Sequence, residues 1–431
     1  MEIITKTNIT KDKLIAEFES TKNSLFGDLK LREAAAEAFS KQGIPNRKSE
    51  EYKYVNVELL LKGDHSFSSS KKLSSQQIGS TQFLKDAIVI VIENGVYNKE
   101  HSKLNPLPQG LQIFNIAEAN SNETFQKHFS KYSDINSDPF IALNGALASG
   151  GVFIHVAKSA VIEAPVHIIH ITSVSEDTIL NSRNLVVVDE YAQLKIVESY
   201  EIIDSSVKCF NNALTEIAIE ANAIVDHYKI QNEKEFGNLI STTQVLQKKQ
   251  SHFSTHTFTL SGSFVRNNLN MVLDDQFIES HLNGLYLTNG TQVVDNHTLV
   301  DHRKPNCNSN ELYKGIIEDK SSATFNGKIY VRKDAQKTNA FQSNKNILLS
   351  DEGTINTKPQ LEIYADDVKC SHGTSTGKLD ADKIFYLRAR GLSEISAKKL
   401  LMHAFASEVV DTVRVEALRE YIEAEISKRF E

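Results

Sequence analysis

Tryptophan is missing from this chain of 431 residues, cysteine occurs three times and proline seven times. The scarcities remove classes of protein. Cys209, Cys307 and Cys370 lie far apart and cannot form the framework that staples small secreted domains, which points to a reducing, cytoplasmic setting. No apolar run approaches the ~20 residues of a membrane span, so no membrane partner is expected. The opening MEIITKTNITKDK has no apolar core that could serve as a signal peptide. A basic excess is lacking too: 48 Lys and Arg against 55 Asp and Glu leave a formal charge of -7. That argues against a nucleic-acid partner, because neutralising phosphates takes clustered cations. Lys71-Lys72 and Lys248-Lys249 are short pairs that read as solvated surface. Phosphate-binding loops and the H-E-x-x-H pattern are also absent, so any ATP hydrolysis is expected to belong to a partner.

What is present is a globular composition, 40% hydrophobic and 24% charged, long enough for two or three domains. The hydrophobic period changes twice along it. Residues 10–41 read as helical, with Thr10 a candidate cap for the first helix and Gly43-Ile44-Pro45 a stop for the second. A second helical patch spans 50–61, and the Ser-rich stretch 66–80 reads as a mobile linker. Strand-like runs begin at 87–92, are interrupted by a partly helical passage at 116–147, and then fill 152–369. These strands alternate with period 2 and recur every ~12 to 15 residues without helical crossovers. An antiparallel sandwich remains compatible. Even spacing, few prolines and no hairpin Asn-Gly or Asp-Gly rhythm fit a parallel β-helix better. After Leu379 the period is helical again, with Asp380 and Ser393 as N-caps and Gly391 as a stop. The expected fold class is mainly β, with a helical N-terminal domain at 1–85, a β-helix core at 86–373 and a helical C-terminal domain at 374–431.

Residues 366–391, DDVKCSHGTSTGKLDADKIFYLRARG, concentrate the chemistry. Cys370 and His372 are the one close Cys/His pair, and on an extended strand their side chains share a face while Ser371 points away. A thiol and an imidazole side by side suit iron, zinc or a thiolate-bound cluster. The alternative is a small packed cysteine beside a turn histidine.

The motifs FNGKI at 325–329, AQKTNAFQSNKN at 335–346, TKPQLEI at 357–363, ADDVKCSHG at 365–373 and FYLRARG at 385–391 resemble the SUF iron–sulfur cluster assembly proteins of the SufB/SufD family. DNHTLVDH at 295–302 fits the same family, as does PNRKSEEYKY at 45–54, where Tyr52 occupies a position usually held by tryptophan. The resemblance covers most of the chain and implies a right-handed parallel β-helix between two helical domains. Within the family the chain resembles the SufD type. SufB tends to carry a His-Glu pair where Ser371-His372-Gly373 stands here, and a sulfur-accepting cysteine where residues 347–353 have no thiol.

The resemblance further implies a non-enzymatic scaffold. It would pair with a SufB-type subunit and bind a SufC-type ABC ATPase through its C-terminal helices, with a cysteine desulfurase system acting indirectly and a homodimer possible for the isolated chain. Iron, or a nascent Fe–S cluster held transiently and shared with SufB, is the implied cargo, with support for iron acquisition as part of the role. The carried-over metal or cluster residues are His372 and Cys370. Two ligands cannot complete a site that wants about four, so the remainder must come from a partner at a shared interface. Leu400, Leu401, Phe405 and Val409 form the apolar stripe expected to dock the ATPase, although periodicity alone favours internal core.

Other residues read as structural: the His167/His170 and His252/His256 pairs, His297, His302, Cys209 and Cys307. Two alternatives stand beside the scaffold reading. One is a purely structural subunit of the same complex. The other is a polysaccharide-active β-helix enzyme using carboxylates such as Asp274 and Asp275, which the missing export signal disfavours.

Overall fold

The computed structural model describes residues 6–104, 106–203 and 206–429. Its N-terminal helices are α1 (Lys6–Thr21), α2 (Leu29–Gln42), α3 (Val57–Leu60) and α4 (Ser75–Gly79). Asp28 caps α2 by accepting from Lys30 N, and Gly43, at φ 68°, ends it. Thr10 is no cap: α1 already runs from Lys6, because nothing in KTNI breaks a helix. The helical patch at 50–61 is likewise split, into a 3-10 turn at Glu50–Tyr52 and the single turn of α3.

The strand region opens with β1 (Ile88–Glu93), β2 (Val96–Lys103) and β3 (Leu111–Asn115), followed by α5 (Glu123–His128) and α6 (Pro139–Leu147). Then come β4 (Val152–Val156), β5 (Val166–Thr172), β6 (Thr178–Val188), β7 (Gln193–Ile202), β8 (Cys209–Ile219), β9 (Ile224–Asn232), β10 (Gly237–Gln247) and β11 (His252–Ser261). The run closes with β12 (Phe264–Leu273), β13 (Glu279–Thr288), β14 (Val293–His302), β15 (Asn308–Ile317), β16 (Ser322–Val331), β17 (Asn339–Leu348), β18 (Thr354–Ile363) and β19 (Lys369–Gly377). Odd strands from β5 onward join β1 in one sheet and even strands the other, all in parallel register; only β2 and β3 attach antiparallel. The result is a two-sided parallel β-solenoid, as expected from the even strand spacing.

Parallel register stacks side chains in columns, so one column reveals which way each residue faces. Ile88, Val166, Ile196, His227, Thr255, Leu282, Glu311, Gln342 and His372 are successive partners across the first sheet. Ile88, Val166, Ile196 and Leu282 belong to the interior cluster between the sheets, so the whole column points inward. Each fully buried aliphatic side chain there contributes about 1.5–3 kcal/mol.

The helical domains cover the two outer faces. Leu14, Phe18, Phe39 and α6 residues Phe140 and Leu143 pack on Ile179, Phe210, Ile240 and Phe264 of the second sheet. After α7 (Ala381–Ala389), helices α8 (Glu394–Val410) and α9 (Glu416–Arg429) place Met402, Val409, Leu418 and Ile422 on Tyr228, Phe258, Leu285 and Ile316 of the first. Covered on both faces, central strands such as β6 and β8 are buried at every residue.

The Ser-rich stretch is a strap, not a loose linker. Ser66 N donates to Asp177 O at 2.8 Å, Lys71 N to Ser173 O at 2.9 Å, and the Ser69 and Ser175 hydroxyls lie 3.1 Å apart. Leu73 and Ile78 sit in a cluster with Val89, Val91 and Ile169, and Phe67 packs against the cluster that holds Ile179 and Phe210. Spaced anchors and backbone bonds replace the continuous apolar pattern that composition looks for.

Candidate functional site

The last rung of the solenoid, β18 and β19, has a neighbour on one side only. In a parallel ladder alternate residues bond to alternate neighbours. Lys369 N donates to Thr338 O on the β17 side, so the N–H groups of Cys370, His372, Thr374 and Thr376 face the uncovered edge. On β18, Thr354 N donates to Ser321 O and Tyr364 N to Val331 O, which puts Pro359 at an edge-facing position. Its missing N–H therefore costs no internal bond, as proline in an edge strand requires. The β18 edge is interrupted there, whereas the β19 edge is continuous.

Cys370 and His372 both point inward at this end, stacked on Ala340 and Gln342. Cys370 is half-buried against Ala340, Leu361 and Val368. Burial pushes its thiol up, with a backbone hydrogen bond at Ala340 offsetting part of the rise, so it rests as a packed thiol and not a thiolate. His372 is exposed, and its ring makes no hydrogen bond among the described residues. The shared face anticipated from the sequence is present. Among the described residues no group of three or more His, Cys, Asp and Glu could hold a metal.

The expected docking stripe divides. Val409 is fully buried between α8 and the solenoid and cannot meet a partner. Phe405 is half-buried, with the Lys314 ammonium 4.0 Å from its ring centre, and Glu408 binds Lys314 at 2.7 Å and Lys345 at 3.0 Å. The C-terminal half of α8 is thus an intramolecular face, because Phe405 and Val409 lie on the side that covers the first sheet. Leu400, half exposed, and Leu401 lie nearer the N-terminal end of α8, where they and Ala404 form a shallow apolar groove with Tyr386 and Leu387 of α7. Phe385, Tyr386 and Ile395 are 74%, 56% and 68% exposed, and α7 buries no residue at all. Large apolar side chains exposed together mark a surface made to be covered.

The motif residues away from this end have structural tasks. Tyr52 lies flat under Arg266, 4.0 Å from ring centre to guanidinium carbon, and donates to Asp138 at 2.6 Å. Arg266 is paired with Asp295, while His297 stands between Asp295 at 2.9 Å and Glu51 at 3.3 Å. This polar clamp fastens the N-terminal domain to the second sheet. His167 contacts Ser199 at 2.9 Å, and His302 contacts Ser309 at 2.9 Å. His256 contacts Thr412 at 2.8 Å, while His252 lies 3.2 Å from Glu279. Neither strand-borne histidine pair converges. Asp274 is held by Lys248 at 2.7 Å and Arg303 at 3.4 Å; burial raises its carboxyl, and these cations outweigh that to leave it lowered, the wrong direction for a general acid. Cys209 and Cys307 are buried, and burial pushes both thiols up.

Sequence reasoning missed the two polar residues under His372, Gln342 and Glu311, which are buried at inward positions of the column. Their signal was a Gln and a Glu at inward positions of otherwise regular strands.

A family profile described as "SUF system FeS cluster assembly, SufBD core domain" matches residues 170–405, and one described as "SufBD protein N-terminal region" matches residues 28–168. An iron–sulfur cluster assembly SufBD family protein of Synechocystis is 33% identical over 90% of this chain and 88% of its own. Iron–sulfur cluster assembly protein SufD of Escherichia coli is 30% identical over 90% and 89%, and protein ABCI7, chloroplastic, of Arabidopsis thaliana 26% over 89% and 82%. No helix among the described residues is long and apolar enough to cross a membrane. The chain belongs to the SufB/SufD family of SUF-system iron–sulfur cluster assembly proteins.

Proposed function

We propose that this chain is the SufD-type scaffold subunit of a SUF assembly complex, and that its open solenoid end pairs with a SufB-type subunit to build a shared site for a nascent Fe–S cluster. The observation that carries the reading is that the inward column of the first sheet ends on an exposed, unengaged His372 at a strand edge without a partner. Iron is cargo here. His372 supplies one imidazole lone pair, Cys370 a second, weaker donor once its thiol ionises, and the partner the remaining ligands. The continuous β19 edge offers backbone groups for strand addition, which aligns the two chains so that donors from both meet.

The apolar face of α7 and the start of α8, with Phe385, Ile395 and Leu400, is the docking surface for the SufC-type ATPase. This surface replaces the stripe that included Phe405 and Val409. Nucleotide-driven movement of that partner reaches the open end through α7, which follows β19 after a few residues. The chain itself hydrolyses nothing; it positions metal and sulfide delivered by others, including a desulfurase system, and supports iron acquisition.

The test is co-expression with the SufB-type and SufC-type partners, anaerobic purification, and comparison of wild type with His372→Ala. The expected outcome is an intact complex with iron and sulfide content and cluster absorbance reduced at least tenfold. Wild-type cluster yield in the variant would leave only the purely structural subunit.

A further inference from the structure

Below His372 the inward column continues with Gln342 on β17 and Glu311 on β15, both buried, at 3% and 5% exposure. Gln342 Nε2 donates to Glu311 Oε2 at 2.7 Å. With its nitrogen so committed, Gln342 keeps a buried Oε1 that has no donor. Buried amide oxygens are nearly always satisfied, so one left open calls for a donor that arrives later. Opposite, on β16, stands Gly327, where a Cβ would lie 2.1 Å from Gln342 Nε2 and 2.8 Å from its Cδ. Only glycine lets the amide occupy this place across the interior. The in-register neighbour on the open side is His372, one ladder spacing of ~4.8 Å away.

We propose that Gln342 is a positioning residue for His372: in the assembled complex an imidazole N–H of His372, unengaged in the chain alone, donates to Gln342 Oε1, Gln342 Nε2 donates on to Glu311, and the other ring nitrogen keeps its lone pair for the metal. This deepens the assignment of His372 as a ligand and rests on it. A free imidazole divides between two tautomers, and a ligating histidine is held in one by the bond its second nitrogen makes. A β-strand edge provides no such bond; the Gln342–Glu311 pair provides it from within the solenoid. It also explains why this column is polar where the opposite end is aliphatic.

Two measurements test the relay. In the co-purified complex, with this chain alone labelled with 15N-histidine, the His372 signals are identified by their loss in His372→Ala. Wild type is expected to show one tautomer at neutral pH and Gln342→Leu an averaged pair of ring shifts. In the co-purified complex, anaerobic Fe(II) titration is expected to show a ten- to hundredfold weaker affinity for Gln342→Leu, the usual loss when an outer-shell partner of a metal ligand is removed. Gln342→Glu, which keeps an acceptor oxygen, is expected to stay within about threefold of wild type, recovering most of that loss. If the leucine variant does not fold, Gln342→Asn serves instead, because it withdraws the oxygen by one methylene and is expected to show the same loss. Unchanged tautomer and Fe(II) affinity in the folded variant, with loss in His372→Ala, overturns the relay alone. Unchanged Fe(II) affinity in His372→Ala overturns the ligand assignment beneath it.

Discussion

The two ends of the solenoid solve the same problem in opposite ways. At the first rung β1 is flanked by β5 in parallel and by β2 in antiparallel register, with an irregularity between Val89 and Val91, and β3 turns back antiparallel on β4. Reversed strands cannot continue the parallel ladder, and β2, reading VYNKEHSK, sets charged side chains on the outside. The residues beneath are sealed: Ile90 and Val91 are fully buried. At the last rung nothing turns back, β18 is at most half-buried throughout and β19 is exposed at nearly every position. An unprotected edge invites pairing with another chain, and folded proteins usually blunt it. Here one end is blunted and the other is left available, and the available end carries the histidine. The inward column records the same contrast, aliphatic from Ile88 to Ile196 and polar from Glu311 to His372.

The strongest way to break the contrast is to place proline at both ends. Ile90 N–H bonds to β5, since Ile88 N donates to Pro165 O and alternate residues follow. Ile90→Pro is therefore expected to cost at least ~3 kcal/mol and to lower the urea midpoint sharply. Thr374→Pro removes an edge-facing N–H and is expected to change stability by under ~0.5 kcal/mol. It should nonetheless weaken binding of the SufB-type partner at least tenfold, about 1.4 kcal/mol, in a titration of the purified chains. Equal destabilisation at both ends would show that β19 is not a free edge.

A second prediction concerns the buried carboxyl nearest the open end. Burial raises Glu311 from 4.5 to about 7, with hydrogen bonds from Thr298 and Gln342 pulling the other way, and Tyr313 is its titratable neighbour. A carboxyl raised on folding holds its proton more tightly in the folded chain. Its contribution is complete below about 4.5 and is lost as pH rises through about 7. Wild type is expected to lose on the order of 1–3 kcal/mol from this group across that window, and Glu311→Gln to lose none of it. Urea melts at the two ends of the window compare the slopes; identical slopes would place the carboxyl in contact with water.

The smallest effect on the fold is expected at the C-terminal helices. Ile395→Glu and Leu400→Glu change exposed positions, so the melting temperature should stay within a few degrees while affinity for the SufC-type partner falls about tenfold. Val409→Glu is the contrasting control: it buries an unpaired charge and is expected to unfold the C-terminal domain. Retained ATPase affinity in both surface variants would move the docking face elsewhere.

Much of this was legible along the chain, for identifiable reasons. Period-2 alternation is local, so the strands of 152–369 could be read without knowing their partners, and short motifs around 325–391 carried the family. Cys370 and His372 could be paired because residues two apart on any strand share a face. The Ser-rich strap was misread because its anchoring lies in backbone bonds to 173–177, a hundred residues onward, which side-chain composition does not express. Val409 was misread because a helix has one apolar stripe in sequence but can divide it between an internal and an external neighbour in space. The clamp of Tyr52, Arg266 and Asp295 was hidden for the same cause: its members come from three distant segments.

The sequence by itself determined the fold class, the order of helical and strand regions, the family, and the insufficiency of two ligands for a metal site. Tertiary structure alone decided which end of the solenoid is closed, which N–H groups face outward, which part of α8 is exposed, and that Gln342 and Glu311 stand under His372. The division follows from range. Periodicity and ligand count are properties of neighbouring residues, whereas register and burial arise only when rungs some 30 residues apart are stacked one ladder spacing from each other.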